Sequence, residues 1–190
     1  MKNFVEYIIF AMIGVILGNL ILRSPIVEAV LFNGKSVYEN GITYTVAWNA
    51  YDELPEVLKD KYETMDYEMV IVDKIAQSDY GTVVGRIIHG TRIIMIKDNA
   101  GLARHTVFHE FGHLLDYRQL MIDYSSTNEF KDIYEEEKEN FKTVYGGYEY
   151  AISTKEEYFA SAFAEYMMNP DRLKSNTPRT YNYIEKCLNI

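Results

Sequence analysis

Cysteine and basic residues are scarce in this chain of 190 residues. Its single cysteine, Cys187, excludes an internal disulfide and any cysteine-rich metal site. The 19 lysines and arginines are outnumbered by 28 aspartates and glutamates, which gives a formal net charge of -9. Without a basic stripe that could displace counterions from a phosphate backbone, the chain is not expected to bind nucleic acid.

The sequence also contains no internal repeats and no low-complexity tracts. Its length suits one compact domain with a short appendage. Turn-forming residues at 33–35 and 39–41 separate an apolar N-terminus from the rest of the chain. We therefore predict a folded domain over residues 30–190, preceded by a separate segment over residues 1–29.

Residues 8–22 form an almost unbroken apolar run between Lys2 and Arg23. The run has the length of the apolar core of a signal peptide, and cleavage after Ala29 would fit the small residues before it. An uncleaved membrane anchor fits nearly as well, because the extended run approaches the length that spans a bilayer. Either interpretation predicts a secreted or membrane-anchored domain outside the cytoplasm.

The sequence of the first half of the folded domain predicts a small mixed β-sheet. Residues 42–48 alternate β-branched and aromatic residues with small ones and predict a strand, and residues 67–75 predict a second. Residues 82–88 and 92–96 predict a hairpin. Between the first two strands, apolar residues at helical spacing predict an amphipathic helix over residues 52–64.

The second half of the domain predicts helices. We expect them over residues 102–120, 128–141, 153–168 and 177–188, with a glutamate-rich face at 135–139 exposed to solvent. The fold class is therefore α+β, with a small mixed sheet followed by a mainly helical C-terminal half.

The segment HEFGH at residues 109–113 carries the clearest chemical signal. His109 and His113 lie four residues apart, so on a helix both imidazoles share a face and can reach one metal ion. Glu110 lies beside them, in the arrangement typical of zinc-dependent hydrolases. The pattern fixes only three residues, so the surrounding sequence must support the interpretation.

A catalytic zinc ion usually has three protein ligands and leaves one position for water, so a third ligand must come from elsewhere in the chain. Glu157 opens an apolar helix, where an inward carboxylate would need a charge partner such as a metal. Glu156 is its main competitor and faces about 100° around the helix. The other candidates are Glu129, Glu135, Glu136, Glu137, Glu139, Glu149 and Glu165.

HEFGHLLD, the segment EEYFASAFAEYMMNPDRLK and the tail TPRTYNYI occur in the order found in one family of zinc metalloproteases. Over residues 102–190 the chain resembles the catalytic domain of anthrax lethal factor and the clostridial Pro-Pro endopeptidases. The resemblance implies a zincin-like fold, one zinc ion per chain and a protein or peptide substrate. It also implies that Glu157 is the third zinc ligand.

The same resemblance assigns a tyrosine near the metal-bound water to Tyr150, where a hydroxyl can donate to the oxyanion on the scissile carbonyl. Tyr145 and Tyr148 lie nearby in the sequence and are alternatives. One departure concerns Ser161, because the family usually has a second glutamate at this position. A hydrogen bond supplied there would be weaker, or would come from Glu165 or a water molecule.

We expect Glu110 to act as general base towards a zinc-activated water and to return the proton to the leaving amine. Asp116 is expected either to orient a ligating imidazole or to lie on the helix surface. His105, one turn before His109, is expected at the edge of the pocket rather than among the ligands.

A peptide substrate is expected to add as an extra strand to an edge of the sheet, for which residues 92–96 are the best candidate. The leading hypothesis is a secreted or membrane-tethered zinc endopeptidase. A catalytically silent binding module with the same fold and a cytosolic metalloprotease that cuts a regulatory protein are the alternatives. The sequence does not specify the preferred peptide bond or the oligomeric state.

Overall fold

A computed structural model describes residues 41–75, 83–146 and 148–189, together with the backbone of residues 37–38. The predicted signal or anchor segment, residues 1–29, lies outside these residues. Among the helices that the structure describes, none combines the length and the apolar character that crossing a membrane requires.

All the strands that the structure describes lie in the first half of the described part of the chain together with two helices, and the second half is helical, which confirms the predicted α+β class. The strands are β1 (Val37–Tyr38), β2 (Glu68–Val72), β3 (Gly85–Ile88) and β4 (Ile93–Lys97). The helices are α1 (Ile42–Asp52), α2 (Glu56–Thr64), α3 (Ala100–Asp116), α4 (Asn128–Val144), α5 (Lys155–Met168), α6 (Pro170–Asn176) and α7 (Pro178–Leu188). Short 3-10 turns at Tyr124–Ser126 and Glu149–Ile152 precede α4 and α5.

The four described strands form one mixed sheet in the order β1-β2-β4-β3. β2 and β4 are parallel, whereas β1 and β3 pair with their neighbours in the antiparallel sense. The predicted hairpin is β3 and β4, but the prediction that residues 92–96 form an edge strand is wrong. β4 is buried on both faces, as its continuous run of apolar residues requires in a central strand, and β3 lies at the edge.

The prediction of a strand at residues 42–48 is also wrong, because this segment belongs to α1. Thr43, Ala47, Ala50 and Tyr51 are its buried residues, and they recur at helical spacing on the side that packs against α3. The β-branched and aromatic residues between them gave the local impression of a strand. Tertiary packing therefore overrides the local β propensity in this segment.

The helical half follows the predicted boundaries to within three residues, with two exceptions. α3 ends at Asp116, four residues before the predicted end, and α6 was not predicted. Pro170 ends α5 but also occupies the first turn of α6, where its missing N–H costs no hydrogen bond. One proline therefore separates two helices.

α3 lies between the sheet and α5. Alternate residues of the central strands, among them Ile71, Ile94 and Ile96, face the same core as Val107 and Phe108 of α3. The opposite face of the sheet forms a smaller apolar cluster. The histidine motif therefore belongs to the most enclosed helix of the fold.

Glu137 does not fit the predicted solvent-exposed glutamate face, because it is buried. Its carboxylate accepts hydrogen bonds from the backbone N–H groups of Arg179 and Thr180 and from the Thr180 hydroxyl. The Thr180 hydroxyl also lies 2.7 Å from the hydroxyl of Tyr158 on α5. Glu137 thus caps the N-terminus of α7 and links that helix to α5.

Gly112 allows α3 and α5 to approach closely. A Cβ atom at this position would lie 2.7 Å from Ala160 Cα and 3.0 Å from Ala160 O. Both obstacles are backbone atoms, so Gly112→Ala is expected to lower the free energy of unfolding by about 1–3 kcal/mol. Urea unfolding would measure the change.

Gly101→Ala on the same helix is the matched control, because the nearest atom to its added Cβ is Asn99 Oδ1 at 3.5 Å. It is expected to leave the free energy of unfolding within about 1 kcal/mol of the parent value. Equal losses in the two variants would mean that helix contact at Gly112 is not the cause.

Candidate active site

His109, His113 and Glu157 converge on one point between α3 and α5. Their candidate ligand atoms all lie within 4.8 Å of one another. Glu157 Oε2 is 3.1 Å from His109 Nε2 and 3.5 Å from His113 Nε2. The structure therefore brings together the three residues that the sequence predicted as zinc ligands.

Helix capping explains how Glu157 is directed towards the histidines. Thr154 caps α5, and its hydroxyl accepts a hydrogen bond of 3.1 Å from the backbone N–H of Glu157. Because the cap already satisfies this N–H, the Glu157 side chain is left to reach across to α3. Glu156, the competing candidate, forms an ion pair with Lys155 instead.

Ser161 lies behind His109, at the position where the sequence departs from the family. Its buried hydroxyl is 3.5 Å from His109 Nδ1, at the limit of a hydrogen bond. A bond there would leave Nε2, which faces Glu157, as the metal-binding nitrogen. Ser161 can thus orient this imidazole, but less firmly than a carboxylate would.

Asp116 is not on the helix surface, because its side chain is buried. Its carboxylate accepts a hydrogen bond of 2.6 Å from the Ser125 N–H and one of 2.7 Å from the Ser125 hydroxyl. These bonds fasten the end of α3 to the following 3-10 turn. The negative charge also helps to raise the pKa of His113.

Glu110 is buried within the site, with only 5 % of the residue exposed to solvent. Burial, helped by the charge of Glu157, raises its pKa to about 7 against the opposing effects of His113, the Ile87 N–H and Arg86. By contrast, hydrogen bonds from His109 and His113 outweigh burial and lower the pKa of Glu157. The two carboxylates therefore differ in proton affinity.

This raised pKa predicts a pH dependence of stability in metal-free protein. A pKa of about 7 in the folded state, above the unfolded value, means that the contribution of Glu110 to stability is complete below pH 4.5 and is lost as the pH rises towards 7. Glu110→Gln should remove this loss. The difference in free energy of unfolding between the variant and the parent should therefore increase by about 2 kcal/mol from pH 5 to pH 8, in favour of the variant. Urea unfolding in the presence of a chelator would measure it. A constant difference across this range would contradict the burial of the charge.

Tyr150 lies in the 3-10 turn before α5, with its ring centroid 6.4 Å from that of His109. Burial raises its pKa, and the charge of Glu157 and a hydrogen bond to Glu157 act in the same direction. Its hydroxyl therefore stays protonated at neutral pH and is available as a donor.

The two alternative tyrosines lie differently. Tyr145 packs on Phe141 with ring centroids 4.2 Å apart, and Arg172 lies over its ring. Tyr148 is 63 % exposed. Both line the cavity beside the site. Among the ring contacts of the described residues, the one with His109 is made by Tyr150 and not by these two neighbours.

Gly85 was not singled out from the sequence, although it adjoins Glu110. A Cβ atom here would lie 2.4 Å from both Glu110 Oε1 and Thr106 Cγ2. A glycine within a strand pattern indicates that another group approaches the backbone closely, and this is the signal that could have found it. With glycine here β3 passes close to the carboxylate, whereas a Cβ atom would require the Glu110 side chain to shift.

Gly85→Ala is therefore expected to displace the Glu110 carboxylate and to lower peptide hydrolysis by about tenfold or more. Initial rates on a fluorogenic peptide, compared at equal zinc content, would measure this effect. Gly90→Ala in the turn of the same hairpin is the control, because nothing lies within 4 Å of its added Cβ. Unchanged rates in both variants would show that the contact does not matter.

Within the described residues no strand pairs with the outer side of β3, so this strand presents backbone groups to an edge of the sheet. Lys97 N–H donates to Val84 O, so the pairing alternation turns the N–H and C=O groups of Gly85 and Ile87 away from β4. The Ile87 N–H donates a hydrogen bond to the Glu110 carboxylate. This bond places the edge of the sheet beside the site. The edge predicted at β4 is thus found at β3.

A cavity of about 220 Å³ opens beside His109 and Glu110. β3 supplies one side of its wall, and the tyrosines before α5 supply another. His105 lines it as predicted for a residue at the pocket edge, with its ring nearly parallel to that of His109 at 6.3 Å. Within the described residues, His105 is not part of the metal-ligand group.

The family whose sequence model matches this chain is described as "Anthrax toxin lethal factor, N- and C-terminal domain". The match covers residues 30–187. The chain belongs to this family. The resemblance seen in the sequence motifs is thereby confirmed for the lethal factor family.

A solved structure with a similar fold is that of the Pro-Pro endopeptidase PPEP-2 from Paenibacillus alvei. It aligns with 17 % sequence identity and a TM-score of 0.57, over 77 % of this chain and 91 % of that one. At this identity the similarity concerns the fold, which confirms the zincin-like architecture. No curated protein matches the chain in sequence.

Proposed function

We propose that this member of the lethal factor family is a zinc-dependent endopeptidase that hydrolyses internal peptide bonds of a protein or peptide substrate. The observation that carries the proposal is the convergence of His109, His113 and Glu157 beside the buried carboxylate of Glu110. The family match and the endopeptidase fold of PPEP-2 support it.

The donor set fits zinc in both chemistry and spacing. Two imidazole nitrogens and one carboxylate oxygen form a common catalytic zinc site. Ligands about 2.0–2.1 Å from a tetrahedral ion are separated by about 3.3 Å, close to the 3.1 and 3.5 Å between Glu157 Oε2 and the two imidazoles. When bound, one zinc ion per chain would supply Lewis acidity to a water molecule and to the scissile carbonyl.

Glu110 is proposed to take the proton from the attacking water and to pass it to the leaving amine. The charge of a bound zinc ion would favour the ionised form of Glu110, which is the form that accepts a proton. The enclosed position of Glu110 also keeps bulk water away from the carboxylate. Contact with Gly85 limits the movement of the carboxylate on the strand side.

Tyr150 is proposed to donate its hydroxyl to the oxyanion that forms on the scissile carbonyl. Two contacts support this assignment: the ring of Tyr150 lies near that of His109, and its hydroxyl forms a hydrogen bond with Glu157. A preorganised donor of this kind is worth about 10²–10³ in turnover. The neighbouring hydroxyls lack the same set of contacts.

The substrate is proposed to pair with β3 through the backbone groups of Gly85 and the carbonyl group of Ile87, since the Ile87 N–H is bonded to Glu110. This arrangement would satisfy the peptide backbone at the open edge and direct one substrate residue towards the cavity. It would also hold the scissile carbonyl near Glu110.

We also propose that the domain acts outside the cytoplasm, either released or tethered through the apolar segment at residues 8–22. The composition of this segment supports the proposal. Cell fractionation of the full-length chain, with protease accessibility from the outer side, would test it. Recovery in the cytosol with an intact N-terminus would favour the alternative of a cytosolic metalloprotease.

Digestion of a broad peptide library, read by mass spectrometry, tests the proposed activity. Zinc-loaded protein should generate new internal termini, and a chelator should prevent their appearance. A protein that holds zinc but generates no new termini would favour the catalytically silent binding module.

A further inference from the structure

The cavity extends away from the metal ligands along the groove between α3 and α5. His105 lies one turn before His109 on α3, whereas Ser161 and Glu165 follow Glu157 at intervals of one turn on α5. All three line the cavity. The groove therefore contains two polar side chains, His105 and Glu165, that the proposed hydrolysis does not use.

Glu165 provides a carboxylate in this lining. Its side chain is only 13 % exposed, and its Oε2 atom accepts hydrogen bonds from Arg172 at 2.7 Å and from Asn169 at 3.0 Å. Among the described residues, both of these bonds go to Oε2, which leaves Oε1 for a further donor. The negative charge of Glu165 also favours a higher pKa for His105, which lines the same cavity, although burial lowers this pKa more strongly.

Arg172 does not place a positive charge inside the cavity. Its side chain is 45 % exposed, it lies over the ring of Tyr145, and it is not among the residues that line the cavity. Burial lowers the pKa of His105, so this imidazole is neutral near pH 7. Among the described residues that line the cavity, Arg86 of β3 is the cationic one. Its charge favours a lower pKa for Glu110.

The walls of the cavity suit a long side chain with an apolar stem. Phe141, Tyr145 and Tyr150 supply aromatic surface, and the volume of about 220 Å³ accommodates an extended side chain. A lysine or arginine side chain combines an apolar stem with a donor at its tip. Aromatic walls favour such a stem and also the charge that it carries.

We propose that this cavity binds a lysine or arginine side chain of the substrate, from a residue that flanks the scissile bond, and that Glu165 is the specificity-determining residue. The inference rests on the proposed endopeptidase function and names its substrate class. The cationic tip binds the Glu165 carboxylate, and the stem lies against the aromatic walls. A buried ion pair gains most where one partner is already held by other bonds, as Arg172 and Asn169 hold Glu165.

The first measurement determines which residues flank the scissile bonds in the digested peptide library. Lysine and arginine should be enriched at one of the two flanking positions. The best sequence is then synthesised in two forms, with lysine or with norleucine, which keeps the stem and lacks the ammonium group. The parent should cleave the lysine form with a kcat/KM at least about tenfold higher.

Two variants separate charge recognition from structure. Glu165→Gln keeps the size of the side chain and should bring the ratio of kcat/KM for the two peptides close to one. Arg172→Met retains a stem over Tyr145 but removes the competing cation, so the ratio should rise above that of the parent. A purely structural role of the Glu165–Arg172 pair would lower activity on both peptides and leave the ratio unchanged.

Glu136→Gln is the control for the loss of a glutamate–arginine pair as such, because Glu136 pairs with Arg179 on the surface and neither residue lines the cavity. Its ratio should equal that of the parent. Enrichment of apolar residues at both flanking positions, together with an unchanged ratio in Glu165→Gln, would overturn the proposal while leaving the endopeptidase function intact.

Binding separates failure of this proposal from failure of the proposed function. Zinc-loaded Glu110→Gln protein is used to enrich peptides from the same library, and the bound peptides are identified by mass spectrometry. Enrichment of lysine and arginine without any cleavage by the parent would support the cavity assignment and contradict the endopeptidase. Enrichment without a preference for cations, or no binding at all, would overturn the cavity assignment.

Discussion

Glu110→Gln is expected to lower kcat/KM for peptide hydrolysis by about 10²–10⁴-fold while one zinc ion stays bound. Glutamine fills the same space but cannot accept the proton of the attacking water. The residue is not a member of the metal-ligand group, so the donor set should be unaffected. Initial rates on one peptide, together with zinc content measured by elemental mass spectrometry, would determine both quantities.

Glu137→Gln is the matched control for this substitution, because Glu137 is also a buried carboxylate. Its bonds lie at the start of α7, so the variant should lose stability but keep its kcat/KM at temperatures where it is folded. Turnover retained by Glu110→Gln at the parental zinc content would refute the assigned general base.

Glu157→Ala is expected to abolish stoichiometric zinc binding and to reduce hydrolysis by at least about 10³-fold. Removing the carboxylate leaves two imidazoles for a cation that needs three protein ligands. Loss of the Lewis acid alone corresponds to several kcal/mol of transition-state stabilisation. Titration of metal-free protein with zinc, followed by calorimetry, would measure the loss of affinity.

Glu156→Ala offers a comparison at the adjacent residue, whose carboxylate pairs with Lys155. This variant should bind zinc and cleave peptide like the parent. The opposite outcome, with zinc lost in Glu156→Ala and kept in Glu157→Ala, would reverse the assignment of the third ligand.

The candidate site was largely predictable because its signals are local. The spacing of His109 and His113 defines one helical face, and the Thr154 cap places Glu157 in the first turn of an apolar helix. The family resemblance then assigned a third ligand and a tyrosine. The structure brings these residues together, and their chemical roles remain proposals.

The errors arose where the outcome depends on contacts between distant segments. Residues 42–48 have the composition of a strand but form α1, because their small residues pack against α3. The order of strands is not encoded in any single strand, so the edge was assigned to β4 instead of β3. Glu137 looked exposed because its partners lie more than 40 residues away, at the start of α7.

Gly85 illustrates the same principle at the site itself. Its neighbour Glu110 lies 25 residues further along the chain, and only the packing of β3 on α3 reveals why a side chain is excluded. The cavity beside the site likewise depends on residues from three parts of the fold. Sequence motifs therefore predicted the candidate site, whereas the structure was needed to find the cavity that we propose selects the substrate.

Removal and return of zinc test the central claim most directly. Protein treated with a chelator should lose peptide hydrolysis, and one equivalent of zinc per chain should restore it to the parental rate. Metal-free protein with Glu157→Ala should not recover under the same titration. Hydrolysis that persists in metal-free protein, or recovery in the Glu157→Ala variant, would contradict a zinc endopeptidase built on His109, His113 and Glu157.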